Sequence, residues 1–142
     1  MNFDKNLIND LRGMQQEGRR ILEKYEDVIV DTLRKNRVDA DESLRRDILF
    51  DILQHTQALC DVVDYMQKEV VREGILGHDA EGNILMDGEI LPLMTEVEVY
   101  IFDTIIEQDI WTRAFVGGST ERYLVGLDRD IETDGRKVRI RG

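Results

Sequence analysis

The sequence predicts a mainly α fold: a long helical hairpin plus a third helix, with an inserted β-hairpin and a small C-terminal β-hairpin. Three observations point there. Apolar residues return on two seven-residue tracks through the first thirty-five positions, a second run carries two adjoining apolar stripes, and 35% of the 142 residues are charged, as a long solvated helical surface requires. A chain of this length holds one core, with residues 1–116 expected as a helical oligomerisation domain and 117–142 as a terminal hairpin.

The first helix is expected from Asp4 to about Lys35. One track is Leu7, Met14, Ile21 and Val28; the other is Leu11, Gly18, Tyr25 and Thr32. Together they make the narrow stripe of a coiled-coil seam, which Gly13 and Gly18 weaken by roughly 1 kcal/mol each relative to alanine. Asn36-Arg37-Val38 is a short connection. Asp39 with Glu42 resembles a capping box, and the second helix is expected from about Asp41 to Glu73, stopped by Gly74. Its stripes are Leu44, Ile48, Ile52, Leu59, Val62 and Met66 beside Leu49, Leu53, Cys60, Val63 and Val70. That surface is too wide for one partner helix, so a neighbour beyond helix one is expected.

Residues 75–86 read as a hairpin around Asp79-Ala80-Glu81-Gly82-Asn83. Pro92 suits the first turn of a third helix running to Gln108, with Met94, Val97, Ile101 and Ile105 on its buried face. After the loose Gly117-Gly118, the preferred hairpin turn Asp134-Gly135 pairs Thr133 with Arg136, Glu132 with Lys137, Ile131 with Val138 and Asp130 with Arg139.

The formal charge of -11 argues against a dominant nucleic-acid footprint. The asymmetry is local: the last ten residues hold four basic side chains and one acid. Arg136, Lys137, Arg139 and Arg141 are therefore the candidate contacts to nucleic acid or an acidic partner, although Asp130 and Glu132 oppose part of that charge. A single cysteine excludes an internal disulfide, the start lacks the pattern of a secretory leader, and no apolar run approaches a membrane span. A cytoplasmic protein is expected.

No catalytic constellation emerges. Asp79, Glu81, Asn83, Asp87 and Glu89 alternate like a calcium loop, but Ile84 stands where glycine is required and Ile90 where glutamate is. Glu23 with Glu26 and Asp61 with Asp64 are spaced like the magnesium-binding pairs of all-α nucleotide pyrophosphatases, yet they point away from the apolar stripes. His55 and Cys60 read as core residues without a second ligand or a base at suitable spacing. Neither Ser119 nor Thr120 has the context of a nucleophile, and Gly117-Gly118-Ser119-Thr120 lacks the lysine of a phosphate loop. No metal and no cofactor are expected.

The segment from Val38 to Gln108 resembles the body of phage small terminase subunits. The residues that carry the likeness are Asp39-Ala40-Asp41, the run through Val71-Arg72-Glu73-Gly74, Asp79-Ala80-Glu81-Gly82-Asn83 and Leu91-Pro92-Leu93. The resemblance implies a non-enzymatic DNA-packaging component: a homo-oligomeric ring that binds viral DNA and a large terminase subunit. Two alternatives stand beside it, an acidic interaction protein (an inhibitor or DNA mimic) and a magnesium-dependent pyrophosphatase.

Overall fold

A computed structural model describes residues 3–34 and 39–142. Two helices, α1 (Lys5–Arg34) and α2 (Ala40–Gln67), precede seven strands: β1 (Val70–His78), β2 (Ile84–Met86), β3 (Glu89–Ile90), β4 (Glu96–Asp103), β5 (Gln108–Gly117), β6 (Tyr123–Val125) and β7 (Lys137–Arg141). The chain divides into two compact units, Met1–Gln67 and Lys68–Gly142.

In the helical unit, α1 is capped by Asp4, whose Oδ1 accepts from the Asn6 amide at 2.7 Å, and α2 by Asp39, which accepts from the Glu42 amide at 2.7 Å. The expected connection Asn36-Arg37-Val38 lies outside the described residues. The helices run antiparallel: Gln15 reaches the Cys60 carbonyl and Asp64, and Arg12 reaches Gln67. Leu11, Gly18 and Thr32 turn inward as expected, but the other inward row of α1 is Ile8, Gln15, Leu22 and Ile29. Leu7, Met14 and Val28 are left exposed. Opposite them, α2 buries Leu53, Cys60 and Val63, with Leu49 and Thr56 half-buried.

The β unit corrects the mainly α expectation: with 42% of the chain helical and 30% strand, a seven-stranded antiparallel sheet stands where a third helix and a terminal hairpin were expected. Its order is β3-β2-β1-β7-β4-β5-β6. Helix two ends at Gln67, and Val70 to Glu73 already belong to β1. Gly74 is no helix cap. It lies in β1 opposite Val138, and a Cβ there would stand 2.5 Å from a carboxylate oxygen of Asp87. Glycine makes room for that carboxylate, which accepts from the Ile75 amide at 2.8 Å.

The segment read as a third helix forms β4 and the start of β5. Pro92 opens a turn, its carbonyl accepting from the Thr95 amide and hydroxyl. Val97, Val99 and Ile101 then alternate into the core, and β-branched side chains suit that pleat better than a helix. Together with Leu76, Ile84, Met86, Leu91, Ala114, Val116, Leu124 and Val138 they form one apolar cluster.

The terminal hairpin is corrected too. Residues 130–133 are not a strand, and β7 pairs on one side with β1 (Arg139 opposite Glu73) and on the other with β4 (Arg139 opposite Glu98). The Asp134-Gly135 turn is present, with Gly135 at φ 79°, but its amide donates to Leu76, which hooks β7 onto β1. The reason is burial. Val138 is fully enclosed, and only a central strand gives it apolar neighbours on both sides.

Candidate functional site

Because side chains alternate along a strand, Lys137, Arg139 and Arg141 project from the sheet face opposite Val138. Glu98, Tyr100 and Trp111 share that outer face through the β4–β7 and β4–β5 registers. Glu98 is 4% exposed and holds both arginines: Oε1 accepts from Arg141 Nε at 2.6 Å, and Oε2 accepts from Arg139 Nε. Arg141 also donates to the Lys68 carbonyl at 2.9 Å. The Arg139 guanidinium lies 4.1 Å over the Trp111 ring, a stacked cation–π contact, and Trp111 meets Tyr100 at 5.0 Å between ring centroids.

The four residues singled out from the sequence thus reach different surroundings. Arg139 and Arg141 are bound into a partly buried network, Lys137 is exposed with its ammonium 6.0 Å from the Tyr100 ring, and Arg136 donates to the Glu132 carbonyl at 2.5 Å. The expected partners Asp130 and Glu132 do not face β7. Glu98 went unrecognised: it alternates with Glu96 around Val97, and only the strand pairing sets the buried acid apart from the exposed one.

A second concavity, of about 360 Å³, is formed mostly by residues 121–134 together with His78 and Ile84. Its lining includes Asp134, hydrogen-bonded to His78 Nδ1, while the Arg129 guanidinium sits 3.9 Å over the Tyr123 ring and Arg122 donates to the Gly118 carbonyl.

The remaining candidates are locally committed. Asp79 accepts from the amides of Glu81 and Asn83 and from the Asn83 side chain, and those bonds, the Asn83 side chain first, hold its carboxyl below the usual aspartate range. Asp64 accepts from Gln15 and Arg19, and Asp61 from Gln57. His55, expected in the core, is exposed and bonds the Asp51 carbonyl one turn back. Cys60 is buried against Gly18, and its thiol donates to the Gln15 carbonyl. Among the described residues no group of three or more His, Cys, Asp or Glu is placed to hold a metal ion, and no helix is long and apolar enough to cross a membrane.

The class these units define is a helical hairpin joined to an antiparallel sheet with a carboxylate–arginine–tryptophan face. No family model and no curated protein matches the sequence. A solved structure of a protein from Ruminococcus gnavus is similar at 29% identity, covering 49% of this chain and 100% of its own, with a TM-score of 0.36.

Proposed function

We propose that this chain is a non-enzymatic interaction protein: the helical unit assembles copies, and the β unit presents a recognition surface. The observation that carries the reading is the apolar surface left on the helices. Leu7, Met14, Val28, Leu44, Ile48, Ile52 and Val62 all remain exposed. Side chains of this size scattered singly are ordinary, but a contiguous apolar patch on a helix pair marks a packing surface. Light scattering should give a mass above 16.5 kDa at micromolar concentration, and a strict monomer at every concentration would refute the reading.

The DNA-packaging form of this reading asks more of the molecule. Duplex binding draws on cations that can release phosphate counterions, and Arg139 and Arg141 already share Glu98. The geometry therefore favours recognition of a protein over recognition of phosphate. Titrating duplex DNA at two salt concentrations separates the two. Binding that falls steeply with salt and weakens in Lys137→Ala would favour packaging.

A further inference from the structure

Heptad positions sort the exposed residues of the helical unit. With Ile8 of α1 at position a, the seam rows are Ile8, Gln15, Leu22 and Ile29 (a) and Leu11, Gly18, Tyr25 and Thr32 (d), of which Tyr25 alone is exposed. In α2 they are Arg46, Leu53, Cys60 and Gln67 (a) and Glu42, Leu49, Thr56 and Val63 (d). In an antiparallel pair the two g rows lie along one edge of the seam and the two e rows along the other. The e edge carries Arg12, Arg19, Glu26, Gln57 and Asp64, with the Arg19–Asp64 ion pair across it and Leu33 and Phe50 at its apolar positions. The g edge carries Leu7, Met14, Ile21 and Val28 from α1, and Ile52, Leu59 and Met66 from α2, with Arg45 alone charged. Ile48 and Val62, at position c, widen it on the α2 side.

We propose that this g edge is the interface with a second copy of the same chain, giving a two-fold four-helix bundle. The inference rests on the self-assembly reading above and adds the face and the partner. Three observations select a second copy. The outer surfaces of the helices carry Asp10, Glu17, Glu23, Asp27 and Asp31 on α1, against Arg20, Lys24 and Arg34, and Asp47, Asp51 and Asp61 on α2, so their balance is acidic and two copies of the chain meet least repulsion along the g edge. Both apolar rows are centred on the level where Gly18 meets Thr56 and Cys60, so a two-fold axis there lays apolar rows on apolar rows. The area is sufficient. Leu7, Met14, Val28 and Ile52 are 46%, 54%, 51% and 55% exposed, and with Ile48, Val62 and the half-buried members they offer on the order of 600 Å² per copy, or about 1,200 Å² across the pair, the lower end of specific interfaces.

Sedimentation of the full chain across concentrations tests this, with Met14→Glu and Ile52→Glu as edge variants and Glu23→Arg as an outer-surface control. The wild type and Glu23→Arg should give twice 16.5 kDa, and each edge variant should raise the dissociation constant at least 100-fold. Amide hydrogen exchange on the wild type, above and below its dissociation concentration, does not depend on how well a variant folds. Concentration-dependent protection should fall on the neighbourhoods of Met14, Ile21, Ile52 and Leu59 and spare those of Arg12, Arg19 and Asp64. An assembly that survives both edge variants, or protection along the e edge, overturns the g-edge interface and leaves self-assembly standing. A wild-type monomer at all concentrations overturns both.

Discussion

Replacing Glu98 by glutamine tests whether the outer face of the sheet is a structural network or a set of available cations. The substitution keeps the shape of the side chain and removes its charge. It leaves two guanidiniums facing a neutral amide, with the Arg141 side chain 8% exposed and that of Arg139 19% exposed. Hydrogen bonds to charged groups contribute about 1.5–3 kcal/mol each, and breaking a buried pair from one side costs about 3–5 kcal/mol. Arg139 keeps its stacking on Trp111 and some access to water, so roughly 3 kcal/mol is expected. For a cooperative unit of 60–100 residues, the size of Lys68–Gly142, that corresponds to a fall in Tm of roughly 12–24 °C. Circular dichroism at the sheet band or calorimetry reads it directly. Replacing Glu98, Arg139 and Arg141 together by Met or Leu should recover most of the loss, because no uncompensated charge remains. A Glu98→Gln protein melting within about 2 °C of wild type would refute the network, and would restore Arg139 and Arg141 as groups available to phosphate.

Two further substitutions probe the hairpin that anchors β1. Gly74→Ala places a methyl group against the Asp87 carboxylate, should cost about 1–3 kcal/mol in chemical denaturation, and should speed exchange of the Ile75 amide; unchanged stability would show that the carboxylate is not held there. The Asp79 carboxyl titrates below its unfolded value because the folded turn hydrogen-bonds its ionised form. Its stabilisation is therefore complete above the unfolded pKa and lost as pH falls through the lower folded value. Exchange of the Asn83 amide should accelerate across that acid window, and Asp79→Asn should remove the dependence; an Asp79→Asn protein with the same acid response would assign it to another group.

How much of this was legible in the sequence depended on how far each element's determinants lie apart. The helical unit has local determinants: Asp4 and Asp39 sit where caps belong, and the heptad track Leu11, Gly18 and Thr32 does face α2. The other α1 track is displaced by one residue. Leu7, Met14, Ile21 and Val28 stand beside Ile8, Gln15, Leu22 and Ile29, and apolar content alone favours the first row. What tips the helix is Gln15, whose amide bonds the Cys60 carbonyl and the Asp64 carboxylate inside the seam. A polar residue chosen for its partner forty-five positions away leaves no periodic trace.

The β unit fails to show itself for the same reason, on a larger scale. Residues 92–108 carry two periods at once: Met94, Val97, Ile101 and Ile105 fit a helix face, while Val97, Val99 and Ile101 fit a strand face. Local spacing does not choose between them, but composition does. Val97, Val99, Ile101, Thr104, Ile105 and Ile106 are β-branched, with Tyr100 and Phe102 between them, and such side chains lose rotamer freedom in a helix and pack well on a pleat. Partner choice settles the basic stretch after Asp134-Gly135. A hairpin with residues 130–133 would satisfy the turn and oppose charges on one face, but it would leave Val138 at an edge and take Arg139 and Arg141 away from Glu98. Inserting β7 between β1 and β4 encloses Val138 and places both arginines on Glu98 in one step. The energetic gain belongs to residues that are forty positions apart, so two of the four cations that read as a basic patch, Arg139 and Arg141, become in the sheet the mates of a single buried acid.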